Sequence, residues 1–179
     1  MLDEIKEIIK KEIPEQDQKY HVSLVVKYSK QLAAMLGEDE EIAEIAALLH
    51  DIGGYRRGWD DHELKGAEEA GKILQELHCP EKTIEKVEHC ILSHRSNGKN
   101  LPTTKLAKII QNADALAHFD AIPWLFSYGL EINNNNIEKA EEWLLNKLER
   151  DYKHKLDLPE SKKLAEEKLK AARLIFSHE

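Results

Sequence analysis

The chain has 179 residues, with 26 Lys and Arg against 34 Asp and Glu, and a formal net charge of −8. This length suits one substantial hydrophobic core and is short for two, so residues 1–179 are expected to form a single domain. The negative charge argues against bulk attraction to nucleic acid or to an anionic membrane. Any phosphate group must therefore be bound locally, by a metal or a few basic side chains.

Sequence features that report on cellular location are few and agree with one another. Cys79 and Cys90 form no CxxC pair, which favours a reducing compartment. The N-terminal residues are charged and amphipathic, and the chain has no apolar run approaching the roughly 18 residues of a membrane span. A cytoplasmic protein without a membrane partner is expected.

Apolar residues recur at helical spacing along almost the whole chain, and no segment alternates as a strand does. The pattern predicts an all-α helical bundle. Helices are predicted at residues 2–12, 15–36, 38–51, 62–77, 81–94, 103–119, 137–152 and 159–177, with a partly helical segment at 120–130. Loops are predicted at 53–61, which contains three glycines, and at 96–102, with a break suited to left-handed caps and an N-cap at 133–136. The last two helices carry apolar faces that indicate packing.

Five ionisable residues interrupt this apolar pattern. His21, His94 and Asp114 lie on inward-facing stripes, and His50-Asp51 stands at the predicted end of a core helix. A carboxylate at a helix C-terminus is disfavoured by the macrodipole unless a cation lies beside it. A lone histidine on an apolar face is usually an ordinary core residue, but five such residues from four helices indicate a site.

The types of these side chains indicate a metal site. His21, His50, Asp51 and Asp114 offer two imidazole nitrogens and two carboxylates. This mixture suits Mn²⁺, Fe²⁺, Zn²⁺, Ni²⁺ or a partly hydrated Mg²⁺, and it lacks the thiolates of a structural zinc site. A metal bound in this way lowers the pKa of a bound water and enables metal-assisted hydrolysis.

The ordered set resembles the HD-domain metal-dependent phosphohydrolases. The matching parts are His21, then His50-Asp51 in Ala-Ala-Leu-Leu-His-Asp-Ile-Gly, then Asp114 in Ile-Ile-Gln-Asn-Ala-Asp-Ala-Leu, within residues 20–120. The resemblance implies an all-α bundle, a catalytic metal bound at these four positions, and hydrolysis of a small phosphate ester, a nucleotide above all. It leaves open whether the enzyme is a phosphomonoesterase, a phosphodiesterase or a nucleotide pyrophosphohydrolase.

Some relatives bind two metals through further histidines, and His62 and His94 stand in the matching interval. His62 is equally well explained as an exposed helix start, so the number of ions stays open. His89 lies about 140° around the same helix from His94, which makes His94 the better candidate. In the hydrolytic reaction Asp51 or Asp114 would accept a proton, and water, His94 or His62 would protonate the leaving group.

Basic and aromatic residues near these motifs are candidates for substrate contacts. Candidate phosphate ligands are Arg56, Arg57, Lys65 and Arg95, and Tyr55 and Trp59 could stack on a nucleobase. His118, one turn beyond Asp114, could orient it. The apolar segment 122–126 is either an oligomer contact, making a homo-oligomer, or part of the bundle core.

Three other functions compete with phosphohydrolysis. A di-iron oxygenase of the HD type would use His62 and His94 as additional ligands. A non-catalytic module would bind a nucleotide without turning it over. A purely structural helical protein would leave the ionisable residues apart in space.

Overall fold

The computed structural model describes residues 1–95 and 100–176, so part of the predicted loop at 96–102 and the predicted helix end at 177 lie outside it. Within the described residues the chain is helical and contains no strand, which confirms the all-α prediction. The α-helices are α1 Leu2–Glu12, α2 Glu15–Asp17, α3 Ser23–Leu36, α4 Glu40–Leu49, α5 Ile52–Arg57, α6 His62–Glu76, α7 Glu81–Ser93, α8 Lys105–Asp120, α9 Ile122–Ile132, α10 Ile137–His154 and α11 Pro159–Phe176. None of the helices among these residues is both long and apolar enough to cross a membrane.

Helix α8 is the centre of the bundle. It packs against α3, α4, α7, α10 and α11. Its residues are buried almost without interruption from Leu106 to Phe119. A helix that is buried on all sides carries its polar residues into the interior, so Asp114 and His118 lie deep in the protein rather than on its surface.

Several helix ends follow the expected capping chemistry. Asp39 accepts hydrogen bonds from two backbone amides at the start of α4, and Thr104 accepts one at the start of α8. The break predicted at 133–136 is confirmed: Asn134 and Asn135 have positive φ, and Asn136 caps α10 by accepting from the Lys139 amide.

The prediction of one continuous helix at 15–36 is wrong in detail. A π-helical turn, Gln18–Val22, interrupts it between α2 and α3 and carries His21. Such turns are rare and often lie at functional sites. The sequence pattern could not show this insertion, because a π turn shifts the helical register without changing the residue types.

The predicted loop at 53–61 is also wrong in its first half, because residues Ile52–Arg57 form α5. Gly53 and Gly54 serve close packing instead of ending a helix: an added Cβ at Gly53 would lie 2.2 Å from the Gly66 amide nitrogen. The true break is at Gly58, whose φ is +87°. As a result the predicted helix 38–51 ends at Leu49, and Asp51 stands between α4 and α5 with φ −104° and ψ 4°.

The segment 122–126 lies within α9, and burial accounts for its apolar residues. Leu125 is buried in the core, while Ile122, Trp124 and Phe126 are partly buried against it. Helix α9 also packs on α10. This packing forms one wall of the cavity described next.

Candidate metal centre and its cavity

The four residues predicted as metal ligands converge from separate parts of the fold. His21 comes from the π-helical turn, His50 and Asp51 from the junction of α4 and α5, and Asp114 from α8, and all four are buried. The Nε2 atom of His21 lies 3.0 Å from Nε2 of His50, 3.3 Å from Oδ2 of Asp51 and 3.5 Å from Oδ1 of Asp114. Nε2 of His50 lies 3.2 Å from the same oxygen of Asp51.

The hydrogen bonding of His50 sets the orientation of its ring. Its Nδ1 lies 2.8 Å from the Ala47 carbonyl oxygen and donates to it, so in the neutral ring Nε2 presents a lone pair toward His21 and Asp51. Burial alone would lower the pKa of His50, but the charges of Asp51 and Asp114 and the hydrogen bonds to Asp51 and the Ala47 carbonyl together outweigh it and raise that pKa to about 9. Two carboxylates and two facing imidazole nitrogens thus require a positive charge between them.

A second group of donors shares Asp51. Its Oδ1 lies 3.4 Å from Nε2 of His62 and 3.7 Å from Nε2 of His94, and the two imidazole nitrogens are 3.3 Å apart. The Nδ1 atoms of His62 and His94 bond to the carbonyl oxygens of Trp59 and Ile91, so both Nε2 atoms turn toward Asp51. Burial lowers the pKa of His94 to about 4, which keeps this imidazole neutral, the form that binds metals.

Asp51 therefore lies between two clusters, with Oδ2 in the first and Oδ1 in the second. The structure favours a role for His62 in the candidate metal site over its explanation as an exposed residue at the start of a helix. His89 points elsewhere: its Nε2 lies 3.0 Å from the Thr103 hydroxyl oxygen. The choice of His94 over His89 agrees with this placement.

A third group extends from Asp114. His118 places Nε2 3.7 Å from Oδ1 of Asp114, while its Nδ1 donates to Asp151 at 2.8 Å. Burial lowers the pKa of His118 to about 4. Lys155 donates to Oδ2 of Asp114 at 2.6 Å, and Lys147 donates to Asp151 at 3.1 Å. The sequence analysis gave His118 a supporting role and read the residues of α10 as packing, so it missed these partners.

The clusters lie at the wall of a cavity of about 760 Å³. Trp124 stacks on the ring of His21, with the centroids 5.5 Å apart and the planes 7° from parallel. Asp17 fixes two aromatic walls, because its carboxylate accepts from the Trp124 indole at 3.0 Å and from the Tyr55 hydroxyl at 2.9 Å. Trp59 is about half exposed and also lines the cavity.

The structure separates the four predicted phosphate ligands. Arg95 lines the cavity and donates to Glu63 at 3.1 Å. The other three bond to surface partners outside it: Arg56 to Glu12 and Glu69, Arg57 to Glu68, and Lys65 to backbone carbonyl oxygens. The cavity instead receives its other cations from Lys147 and Arg150 of α10 and from Lys155, the C-cap residue of that helix.

A sequence signal for the α10 residues exists. Trp143, Lys147, Arg150, Asp151 and Lys155 follow one another at i, i+4, i+7, i+8 and i+12, which places them on one face of a helix. That face adjoins the apolar stripe of Ala140, Leu144 and Leu148. A polar stripe that contains a tryptophan and lies beside a core-facing apolar stripe would have indicated that this helix lines a site as well as packing in the bundle.

The donor set fits a divalent metal. The groups His21–His50–Asp51, His21–Asp114–His118 and Asp51–His62–His94 each bring three donor atoms within 4.8 Å of one another. Nδ1 of His21 is buried without a hydrogen-bond partner, whereas Nε2 of this ring faces His50, Asp51 and Asp114. Histidine and carboxylate donors without thiolates suit Mn²⁺, Fe²⁺, Zn²⁺ or Ni²⁺, and the buried Cys79 and Cys90 take no part.

Known proteins are similar to this chain in sequence and in fold. Ribonuclease Y of Bacillus thuringiensis (strain Al Hakam) is 40% identical over 111 residues, 62% of this chain and 19% of that protein. Ribonuclease Y of Oceanobacillus iheyensis is 40% identical over 123 residues, 68% of this chain and 22% of that protein. The chain therefore spans only about a fifth of the length of these relatives.

A solved structure covers nearly the whole fold. The crystal structure of a predicted HD superfamily hydrolase from an uncultured Thermotogales bacterium superposes with a TM-score of 0.67 and 25% identity, covering 97% of this chain and 87% of that one. A family model described as HD domain matches residues 19–118, which include all six predicted metal-binding positions and more than half of the chain. The chain belongs to the HD domain family.

Proposed function

We propose that this protein is a metal-dependent phosphohydrolase that binds two divalent ions and acts on a small phosphate ester, with nucleotides as the substrate class. The observation that carries the proposal is the position of Asp51, which directs one oxygen into each of two donor clusters. His21, His50 and Asp114 would hold one ion with Asp51, and His62 and His94 the other. The HD-type structural neighbour, described as a predicted HD superfamily hydrolase, supports the reaction class.

The roles of the surrounding residues follow from their charges. Bound divalent ions would supply Lewis acidity and lower the pKa of coordinated water. Asp51 and Asp114 are the carboxylates placed to accept the proton of the attacking water. His62 and His94 would hold the second ion through their Nε2 atoms, so neither would be free to protonate the leaving group. Water would supply that proton.

Lys155 adds a fixed positive charge at the reaction centre. Burial disfavours its charged form, but the charges of Asp114, Asp151 and Asp51 and the hydrogen bond to Asp114 together outweigh that effect and raise its pKa. The ammonium group therefore persists beside Asp114, where negative charge develops in the transition state of phosphoryl transfer. Charges fixed in place in this way lower the barrier more than mobile ions in water do.

The charge of the cavity makes anion binding depend on metal. Four cationic side chains and five carboxylates line it, which gives a formal charge of −1 with neutral histidines. Two divalent ions would change this charge to +3. A phosphate ester is therefore attracted only by the metal-loaded protein.

The experiment is a panel of metals against a panel of phosphate esters. The metal-free protein is loaded in turn with Mn²⁺, Fe²⁺, Zn²⁺, Ni²⁺ and Mg²⁺, and phosphate release is measured from nucleoside mono-, di- and triphosphates and simple monoesters. Cleavage of a phosphodiester and of a short RNA is followed alongside, because curated relatives carry the name ribonuclease Y. We expect hydrolysis with at least one metal.

The matched variants are Asp51→Ala and Asp3→Ala, which remove one carboxylate each from the site and from the exposed first turn of α1. Activity should vanish in the first and persist in the second. Absence of activity with every metal, or an active Asp51→Ala variant, would overturn the proposal. Iron in the purified protein with oxygen consumption and no phosphate release would assign the second donor cluster to di-iron oxygenase chemistry instead.

A further inference from the structure

Helix α10 forms one wall of the cavity and lies outside the segment that matches the HD-domain model. The match ends at residue 118, whereas α10 begins at Ile137. Trp143, Lys147 and Arg150 of this helix and Lys155, its C-cap residue, all line the cavity that holds the candidate metal donors. This wall is therefore a feature of the present chain that the motif residues alone do not explain.

The three cations of this wall are not equivalent. Lys155 donates to Asp114, and Lys147 donates to Asp151, so a carboxylate already offsets each ammonium charge. Arg150 is exposed, and within residues 1–95 and 100–176 it makes no ion pair or hydrogen bond. Glu131 of α9 lines the same cavity without pairing with it. An uncompensated guanidinium thus faces the cavity.

The two ends of the wall lie at different depths. Lys155 contacts the metal-binding Asp114, whereas Arg150 stands five residues earlier, about 7.5 Å along the helix axis. Arg150 is exposed and Lys155 largely buried, so the wall runs from the metal donors toward the cavity mouth. Trp143, seven residues before Arg150, packs against Tyr128 at 5.6 Å between ring centroids and also lines the cavity.

We propose that Arg150 binds a second phosphoryl group of the substrate, next to the one held at the metal donors. The substrate class is then nucleoside di- or triphosphates rather than monophosphates. Guanidinium groups bind phosphate oxygens through two parallel hydrogen bonds, which an exposed and unpaired arginine at a cavity mouth can form without losing an existing partner. This inference rests on the proposed function for the location of the first phosphate.

The test measures binding rather than turnover. Isothermal titration of the Mn²⁺-loaded protein, with equal free Mn²⁺ in cell and syringe, compares inorganic pyrophosphate with inorganic phosphate. Wild type should bind pyrophosphate more tightly. Arg150→Gln should weaken pyrophosphate binding about tenfold or more and leave phosphate binding within about twofold, because it removes charge-assisted hydrogen bonds made only by the second phosphoryl group.

Two further variants sharpen the result. Arg173→Gln removes the same charge from an exposed arginine on α11 that pairs with Glu149, and it should leave both affinities unchanged. Arg150→Lys keeps the charge without the paired donors and should recover only part of the pyrophosphate affinity. Equal effects of Arg150→Gln and Arg173→Gln, or an equal loss of phosphate and pyrophosphate binding, would overturn the assignment.

This outcome is separable from that of the proposed function. If no phosphate ester is hydrolysed but pyrophosphate binding depends on Arg150, the subsite stands and the catalytic proposal fails. If hydrolysis occurs while Arg150→Gln binds pyrophosphate as wild type does, the catalytic proposal stands and the subsite fails. A Tm equal to that of wild type would show that the variant is folded, as expected for an exposed side chain without a partner.

Discussion

Replacing Gly53 by alanine should loosen the second donor cluster through the backbone. The added Cβ would lie 2.2 Å from the Gly66 amide nitrogen and 2.6 Å from the His62 carbonyl oxygen. Ordinary van der Waals contact begins near 3.4 Å, so the two backbones must separate by about 1.2 Å. Both obstructing atoms belong to α6, whose first residue is His62, and no side-chain rotation can relieve the overlap.

The expected loss of stability follows from this overlap. Overpacking a tight contact costs about 1 to 3 kcal/mol, which for a domain of this size lowers the Tm by about 2 to 12 °C. A catalytic or binding constellation tolerates shifts of only about 0.5 Å. A displacement of α6 should therefore remove His62 from Asp51 and cost the second ion while the first remains.

Gly71→Ala is the matched control. It introduces the same methyl group on α6, but the nearest atom is the carboxylate end of Glu88, which can rotate away. Alanine also favours the helix over glycine by about 0.5 to 1 kcal/mol. The Tm and the metal content of both variants are measured. A Gly53→Ala variant that keeps the wild-type Tm and both ions would contradict the prediction, and so would equal changes in the two variants.

Two further predictions concern buried carboxylates. Burial would raise the pKa of Glu44, but nearby ammonium groups, with Lys30 at 2.6 Å, outweigh it and lower that pKa; the charged form therefore stabilises the fold at neutral pH. The Tm difference between wild type and Glu44→Gln should be largest near neutral pH and shrink below about pH 4, and a constant difference would contradict this. Asp151→Ala leaves the buried His118 and Lys147 without their shared carboxylate and should reduce the free energy of unfolding by about 3 kcal/mol in denaturant titrations; a loss under about 1 kcal/mol would refute the buried pairing.

Much of the site could be predicted from the sequence because its residues violate a strong local pattern. His21, His94 and Asp114 occupy positions where helical periodicity calls for apolar side chains, and such violations are visible without coordinates. The order of these residues with His50-Asp51 then pointed to the family. The all-α fold followed from the same periodicity.

The parts that sequence analysis misjudged depend on contacts distant along the chain. Gly53 and Gly54 resemble a helix terminator in the sequence, and only the approach of α6 shows that they serve packing. Arg56 and Arg57 lie near the motif, yet glutamates on α1 and α6 hold them outside the cavity. Proximity in the sequence is a poor guide to such ion pairs, since the tertiary structure determines which charged residues come close enough to pair.

The cations of α10 and of its C-cap residue Lys155 were missed for the same reason. Lys155 is 41 residues from Asp114, and no local pattern links the two. Helices α9 and α10 pack together and close the cavity with residues that individually look like a solvated surface. The cavity wall formed by α10 was thus the least predictable part of the candidate site, although the cluster of His and Asp side chains was the most predictable.

The central claim is that Asp51 joins two metal-binding clusters in a hydrolytic centre. The most direct measurement is the metal content of Mn²⁺-loaded and desalted protein, read together with phosphate release, for wild type, His62→Ala and Asp51→Asn. The account predicts two ions per chain in wild type, one in His62→Ala, and less than one in Asp51→Asn, with no phosphate release in the last. Two ions and undiminished phosphate release in Asp51→Asn would contradict it.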